Sequence, residues 1–144
     1  MRIIAIEEHA LPADISAEAG AAMAMPPWAI DLLDDLDEKR LESMDSAGID
    51  VQILSFVGHA IQQLEPARAV ALSRKANDRL AGAVAAHPDR FAGFAALPMS
   101  DPSAAAVELR RAVIELGLVG AMIHGLTNGL FLDDPTFVPV LSEA

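Results

Sequence analysis

Four short apolar segments, separated by longer stretches with helical features, are the strongest constraint on the fold of this 144-residue chain. They occupy residues 3–6, 51–55, 91–97 and 119–123. The intervals between them suit strand–helix–strand units with parallel strands, which need roughly 30 residues each. Strands that are apolar almost throughout are buried on both faces, as in a parallel sheet. The pattern therefore predicts an α/β fold with a parallel sheet.

The stretches between the apolar segments carry helix signals. Apolar residues recur every three or four positions in two sets, namely Leu72, Ala76, Leu80 and Val84, and then Ala106, Leu109, Val113 and Leu116. Asp101 followed by Pro102 is typical of a helix start. Gly48 and Gly117 stand just before predicted strands, where the end of a helix favours a left-handed residue. A further helix is predicted near Pro139.

The composition restricts the partners and the environment of the chain. Ten basic and 21 acidic residues give a formal net charge of −11, which argues against a nucleic-acid partner because this field repels phosphates. The absence of cysteine excludes disulfides, thiolate metal sites and cysteine nucleophiles. No run approaches the roughly 18 apolar residues of a membrane span, and the N-terminus lacks the features of a secretory signal. We expect a soluble, cytoplasmic protein with no membrane partner.

Residues 1–144 are predicted to form a single domain, with one irregular segment at residues 10–34. This segment contains three prolines and two methionines and shows no clear periodicity. Unstructured loops of this length are uncommon in compact domains and often cover functional sites. A lid and a poorly ordered surface insertion both fit the composition, and the sequence leaves the choice open.

The end of the first predicted strand carries the clearest chemical signal. If side chains alternate along the strand, Glu7 and His9 lie on one face, together with Ile3 and Ala5, while Glu8 lies on the other face towards the helices. A carboxylate and an imidazole side by side are suitable ligands for a divalent metal such as zinc or manganese. Two ligands do not define a site, however, and a solvated acidic strand end is an alternative explanation.

The other three histidines differ in their position relative to the strands. His124 follows the fourth predicted strand and His59 follows the second. Both are candidate substrate-binding residues, because active sites of β/α barrels lie at the carboxyl ends of the strands. His87 precedes the third strand, where a structural capping role fits better. The sequence has no glycine-rich phosphate loop after a strand and no Gly-x-Ser-x-Gly nucleophile motif.

Six motifs in order extend this local evidence to the whole chain. They are Ile-Ala-Ile-Glu-Glu-His at 4–9, Arg-Leu-Glu-Ser-Met-Asp-Ser-Ala-Gly-Ile-Asp at 40–50, Ile-Leu-Ser at 53–55, Ala-Asn-Asp-Arg-Leu at 76–80, His-Pro-Asp-Arg-Phe-Ala-Gly-Phe-Ala-Ala-Leu-Pro at 87–98 and Leu-Gly-Leu-Val-Gly-Ala at 116–121. Together they resemble the aminocarboxymuconate-semialdehyde decarboxylase-like branch of the amidohydrolase superfamily. Within that branch the chain is similar to the γ-resorcylate and 2,3-dihydroxybenzoate decarboxylases.

The resemblance implies a distorted (β/α)₈ barrel that holds one divalent metal, Zn²⁺ or Mn²⁺, with Glu7 and His9 as ligands. It implies non-oxidative loss of CO₂ from a hydroxylated aromatic or related unsaturated carboxylic acid, with the metal as Lewis acid. Some relatives hydrolyse C–O or C–N bonds instead, so a metal-dependent hydrolase is the alternative. The close decarboxylases carry Asn where this chain has His124, a change that bears on substrate specificity and could add a metal ligand.

The chain supplies four of the eight strand–helix units of a TIM-type barrel, which needs about 250 residues. The resemblance also implies a catalytic Asp on a late strand, beyond the end of this chain. We therefore expect a half barrel whose sheet has open edges and an uncovered inner face. A fragment of a longer enzyme, an inactive remnant with a binding role and a homo-oligomeric half barrel all fit, and the first is favoured. The isolated chain is expected to lack activity and to self-associate.

Overall fold

The strands form one parallel sheet in chain order. The structure is a computed structural model that describes residues 1–20, 26–57 and 59–144, with the backbone alone for residues 59 and 60. The strands are β1 (Ile4–Ala10), β2 (Val51–Phe56), β3 (Phe91–Ala96) and β4 (Gly120–Met122). Each pairs in parallel with the next, so the order in space is β1-β2-β3-β4. The predicted α/β fold with a parallel sheet is confirmed.

Helices connect the strands. In the described ranges they are α1 (Ala13–Ala19), α2 (Pro27–Asp34), α3 (Glu38–Ala47), α4 (His59–Gln62), α5 (Pro66–Ala86), α6 (Pro102–Ile114) and α7 (Val138–Glu143), the last preceded by a 3-10 turn at Pro135–Phe137. The predicted helix signals are confirmed at several ends. The Asp101 side chain accepts a hydrogen bond from the Ala104 N–H at 3.0 Å, and Gly48 ends α3 with a φ of 69°. None of these helices is both long and apolar enough to cross a bilayer.

In its described parts, the irregular segment at residues 10–34 contains two short helices, α1 and α2. Its ends are held together, since the Leu11 N–H donates to the Leu33 carbonyl at 2.8 Å and the Ala13 N–H donates to Asp34 Oδ1 at 2.8 Å. α1 packs against α5 with Ile15 buried. Residues 21–25 lie outside the described residues, and the role of the segment as a lid stays a prediction.

One face of the sheet packs against the helices and forms the core. Leu54 of β2 and Ala95 of β3 on this face are fully buried. Gly93, which pairs with Leu54, allows α5 to approach closely, because a Cβ at this position would lie 2.9 Å from Leu80 Cδ2 and 3.0 Å from Leu118 Cδ2. The missing side chain at Gly93 thus sets the distance between α5 and the sheet.

The opposite face, here called the inner face, carries residues that pair across the strands in register. Its members are Ile4, Ile6 and His9 of β1, Val51, Ile53 and Ser55 of β2, Ala92, Phe94 and Ala96 of β3, and Gly120 and Met122 of β4. Ile4 and Ile6 are 51% and 60% exposed, because no helix of the described chain covers them. The inner face is therefore exposed at these two positions of β1, whereas Val51, Ser55 and Ala96 on the same face are buried.

The strict alternation predicted for β1 is wrong. The register shifts by one residue between Ile6 and Glu8, and Glu7 has a φ of +65°. This β-bulge inserts an extra residue, so the side chains before and after it exchange faces relative to simple alternation. Ile4 and Ile6, rather than Ala5, therefore share the inner face with His9. A bulge depends on pairing with β2, and for that reason a period of two read along β1 alone does not reveal it.

Candidate metal site at the ends of β1 and β4

Glu7 occupies the bulge in β1 in a strained backbone conformation. A positive φ is uncommon for a residue with a Cβ and costs roughly 1–3 kcal/mol, and Glu7 has a φ of +65° within a strand. Its side chain is exposed. Strained residues of this kind concentrate at functional sites, where the surrounding structure maintains them. The geometry supports a functional role for Glu7, although by the bulge rather than by the predicted alternation.

His9 follows the bulge on the inner face and is half-buried. Its Nδ1 lies 3.3 Å from Oγ of the fully buried Ser55, its pairing partner on β2. A hydrogen bond at one ring nitrogen fixes the orientation of an imidazole and leaves the other nitrogen for a ligand, as in histidine metal sites. Ser55 therefore orients His9 in a way that suits metal binding through Nε2.

The backbone at the end of β1 is held by Arg40, a buried residue of α3. The Arg40 guanidinium donates to the carbonyl of His9 at 2.9 Å, and also to the carbonyls of Asp35 at 2.9 Å and Leu32 at 3.2 Å. Burial lowers the pKa of Arg40, while the charges of Glu8 and Asp35 oppose that shift. An arginine remains protonated under such conditions, so a buried cation anchors the strand end that carries the candidate ligands.

Glu8 takes part in the same network on the helix side of the sheet. The Gln52 side chain donates to Glu8 Oε2 at 3.2 Å and accepts from Arg40 Nη1 at 3.2 Å. Because Glu8 pairs with Leu54, it faces the helices, as predicted. Glu8 is thus a structural partner of Arg40 and lies on the opposite face from His9.

His124 lies two residues beyond β4, and its ring approaches His9. The two ring centroids are 6.0 Å apart with an interplanar angle of 51°. The buried side chain of Gln62, the last residue of α4, fixes the His124 backbone, because Gln62 Oε1 accepts from the His124 N–H at 3.0 Å and Nε2 donates to its carbonyl at 2.8 Å. Gln62 Nε2 also lies 2.6 Å from Thr127 Oγ1. The structure therefore brings together two of the predicted site residues, His9 and His124.

The other two histidines are placed differently. The side chain of His59 lies outside the described residues, although its backbone begins α4. His87 precedes β3, and its Nε2 lies 2.8 Å from Oδ1 of Asp37, the residue before α3. His87 therefore connects two outer elements and is not grouped with His9 and His124.

Comparison with known proteins places this arrangement in a family. The sequence profile described as Amidohydrolase matches residues 5–144, nearly the whole chain. The chain belongs to the amidohydrolase family. It is 45% identical over 155 aligned residues to the γ-resorcylate decarboxylase of Rhodococcus jostii (strain RHA1), an alignment that covers 97% of this chain and 46% of that protein.

Solved decarboxylases of the family share the fold. The dihydroxybenzoic acid decarboxylase of Polaromonas sp. JS666, with bound manganese and the inhibitor 2-nitroresorcinol, matches with a TM-score of 0.87 and 39% identity over 99% of this chain and 46% of that one. The 5-carboxyvanillate decarboxylase of Novosphingobium aromaticivorans DSM 12444, complexed with manganese and 4-hydroxy-3-methoxy-5-nitrobenzoic acid, matches with a TM-score of 0.90 and 30% identity over 99% and 47%. The amidohydrolase chain thus spans a little under half the length of these relatives, and the predicted first half of a TIM-type barrel is confirmed.

The described residues of the amidohydrolase chain do not form a complete metal site. In the described parts of the chain, no group of three or more His, Cys, Asp or Glu side chains is arranged to hold a metal ion. Catalytic zinc usually has three protein ligands. Glu7 and His9 nevertheless combine a carboxylate with an oriented imidazole at the carboxyl end of a strand, so their chemistry fits a contribution of two ligands.

Sequence reasoning missed the residues that support this site, which are Arg40, Gln52, Ser55 and Gln62. Gln52 gave a usable signal, because a long polar side chain in an otherwise apolar strand needs a buried partner. For Gln62 and Arg40 the sequence contains no such signal, because polar residues on short or amphipathic helices are ordinarily exposed. Their importance depends on which strand ends they reach.

Proposed function

We propose that this chain forms the metal-binding first half of a non-oxidative decarboxylase that acts on a hydroxylated aromatic carboxylic acid. The observation that carries the proposal is the similarity, over 99% of the chain, to decarboxylases solved with manganese and nitro analogues of such acids. The 45% identity to a γ-resorcylate decarboxylase points the same way. A metal-dependent hydrolase of the same family is the alternative outcome of the tests below.

The proposed metal ligands in this chain are Glu7 and His9, and the metal is Mn²⁺ or Zn²⁺. His9 would bind through Nε2, because Ser55 occupies the Nδ1 side. Glu7 offers an exposed carboxylate from a backbone position whose strain is most simply explained by a functional requirement. When bound, the metal supplies Lewis-acid polarisation of the carboxylate and the adjacent hydroxyl of the substrate.

The remaining contributions of the chain are positioning and water exclusion. Arg40 donates a hydrogen bond to the carbonyl of His9. This contact would restrain the backbone that carries both proposed ligands, Glu7 in the bulge and His9 after it. Phe94 pairs with Ser55, and Met122 lies on the same inner face, so both offer apolar surface near His9 for an aromatic ring. The roles of His124 and His59 in substrate binding are part of this proposal, as is the homo-oligomeric state.

The proposal is tested with a chimera, because the chain covers only part of its relatives. The chain replaces the matching 46% of the Polaromonas decarboxylase, and CO₂ release from 2,6-dihydroxybenzoate and 5-carboxyvanillate is measured with added Mn²⁺. We expect turnover by the chimera and none by the isolated chain. Glu7→Gln and His9→Asn should each remove activity, whereas His87→Asn, a control that precedes β3 and so lies at the opposite end of the strands, should preserve it.

Two results would overturn the proposal. A folded chimera that binds Mn²⁺ but releases CO₂ from neither acid contradicts the reaction, and hydrolysis of an ester or amide by the same chimera supports the hydrolase instead. Robust turnover by the isolated 144-residue chain contradicts the expectation that the site is completed elsewhere. Circular dichroism of each protein separates loss of activity from loss of fold.

A further inference from the structure

We propose that Gln62 is a positioning residue, which fixes His124 beside His9 so that the His124 imidazole binds a polar substituent of the aromatic acid. The inference rests on the proposed function, in which His124 contributes to substrate binding, and extends it to the residue that determines where His124 lies. Gln62 ends α4, which follows β2 along the chain, whereas His124 follows β4.

The side-chain amide of Gln62 is engaged by the segment that follows β4. Its Oε1 accepts from the His124 N–H at 3.0 Å, while Nε2 donates to the His124 carbonyl at 2.8 Å and lies 2.6 Å from Thr127 Oγ1. A glutamine amide has two N–H donors and one acceptor oxygen, so each donor has a partner and the oxygen is used. An amide rotated by half a turn would direct its donors at the His124 N–H, so these contacts select one orientation.

Gln62 connects parts of the chain that the sheet itself does not hold together. β2 and β4 are separated by β3, which places their axes roughly 10 Å apart. The pairing of β3 with β4 ends at Met122, two residues before His124. Gln62 and Thr127 are 2% and 3% exposed, so their hydrogen bond is shielded from water. Gln62 therefore holds the His124 backbone where strand pairing has ended.

A second buried amide makes the same pair of backbone contacts at the end of β3. Asn77 of α5, which is fully buried, donates to the Ala96 carbonyl at 3.0 Å and accepts from the Ala96 N–H at 2.8 Å. Ala96 carries only a methyl group, so this contact stabilises the strand end without orienting a polar side chain. At His124 the same arrangement holds an imidazole whose ring centroid lies 6.0 Å from that of His9. The two amides thus differ in the side chain that each one places.

An imidazole in this place has the chemistry to bind the substrate proposed above. A neutral imidazole offers one N–H donor and one acceptor nitrogen, and a hydroxylated aromatic acid carries hydroxyl and carboxylate groups that match either one. Hydrogen bonds weaken steeply with misalignment. Loss of Gln62 therefore weakens substrate binding through displacement of His124, and this effect exists only while the His124 imidazole is present.

The first test measures the position of His124 in the 144-residue chain and needs no activity. The rings of His9 and His124 are close enough for a nuclear Overhauser effect between their C–H protons. We expect this signal in the parent chain and in Asn77→Leu, the matched control, and its loss in Gln62→Leu. Gln62→Asn, which keeps the amide but shortens its reach, replaces Gln62→Leu if that variant does not fold.

The second test uses the chimera described above, with 2,6-dihydroxybenzoate as substrate. His124→Ala should raise KM about tenfold or more, the size expected for a hydrogen bond to a charged group. The value of kcat should change little, because binding that is equal in ground and transition states affects KM alone. Gln62→Leu should also raise KM, but in a His124→Ala background it should add less than about a twofold change, since the two residues act as one unit. Asn77→Leu should leave KM unchanged.

The outcomes separate this inference from the proposed function. An Overhauser signal that persists in Gln62→Leu would overturn the positioning role. A His124→Ala chimera with the KM of the parent, or effects of Gln62→Leu that are equal with and without His124, would also overturn it while the proposed function stands. A parent chimera that folds but shows no turnover contradicts the proposed function instead, and the Overhauser measurement then decides whether Gln62 positions His124.

Discussion

The ends of β1 and β4 carry the two converging histidines, but they are built differently. β1 ends in a bulge with Glu7 at a positive φ, and a buried cation, Arg40, holds the strand through the His9 carbonyl. β4 leads into His124 without a register shift, and a neutral amide, Gln62, holds its backbone through two hydrogen bonds. The comparison teaches that backbone strain and buried charge are concentrated at the end of β1, where the exposed Glu7 precedes His9.

The physical reason for this difference is the desolvation cost of the side chain that is buried at each strand end. Desolvation of a guanidinium is expensive unless carboxylates and carbonyls surround it, and Arg40 has both kinds of partner in Glu8 and Asp35. A neutral amide needs only hydrogen-bond partners, which the His124 backbone supplies to Gln62. Disrupting the β1 end should therefore destabilise the chain more than disrupting the β4 end.

The largest effect is expected at Arg40. Arg40→Met removes the donors to three carbonyls and leaves the charge of Glu8 without its buried partner, which should lower the free energy of unfolding by about 3–5 kcal/mol. Urea denaturation measures the loss. Lys39→Met, a change at the exposed neighbouring cation, is the control and should have almost no effect. If Arg40→Met lost less unfolding free energy than Gln62→Leu, the proposed difference between the ends of β1 and β4 would be contradicted.

The next effect is expected at Gln62. Gln62→Leu removes the two hydrogen bonds between the Gln62 side chain and the N–H and carbonyl of His124. It should lower the free energy of unfolding by about 2 kcal/mol. The same denaturation experiment applies. Gln63→Leu changes an exposed amide that makes one hydrogen bond, to the Leu126 carbonyl at 3.3 Å, and should be nearly neutral. Equal losses in the two variants would show that burial of Gln62 is not what stabilises this strand end.

A smaller effect on stability is expected at Glu7, where two substitutions distinguish backbone strain from the chemistry of the side chain. Because a left-handed backbone disfavours any Cβ and β-branched side chains most, Glu7→Val should be less stable than Glu7→Gly by about 1–2 kcal/mol. The thermal midpoints of the two variants give the order. The same pair at Ile6, which does not have a positive φ, should show the reverse order, since valine is favoured over glycine in a regular strand. If the glycine variant were the more stable one at both Glu7 and Ile6, or the valine variant at both, backbone strain at the bulge would be contradicted.

The smallest effect concerns the loop beyond β4. Side-chain and backbone hydrogen bonds from Thr136 lower the pKa of Asp134 below its usual 3.8. The folded pKa lies below the unfolded one, so the stabilisation is complete above about pH 4 and is lost as the pH falls through the folded value. A carboxyl titration by NMR should show the depressed pKa, and Thr136→Val should raise it towards 3.8. An Asp134 titration that Thr136→Val leaves unchanged would contradict this assignment.

The fold was largely predictable because its signals are local. The four apolar segments became β1 to β4 within a few residues, and Asp101 and Gly48 marked helix ends as expected. The segment at residues 10–34 was the exception, because α1 and α2 are short and α1 is stabilised by packing against α5 rather than by its own periodicity.

The site was predictable only in part. The sequence identified Glu7, His9 and His124 as candidates, and the tertiary structure brings His9 and His124 together. The bulge at Glu7 requires pairing between β1 and β2, which no window of sequence contains. The supporting residues escaped notice because hydrogen bonds such as that from Gln62 to His124 join positions 62 residues apart.

By itself the sequence determined the order of strands and helices, the residue types at the strand ends and the amidohydrolase resemblance, because periodicity, capping and motifs are properties of neighbouring residues. Only the tertiary structure decided which face each side chain of β1 occupies, which buried groups hold the strand ends and how near His124 comes to His9. Those features arise from register, burial and strand convergence, which exist only once distant segments of the chain have packed together.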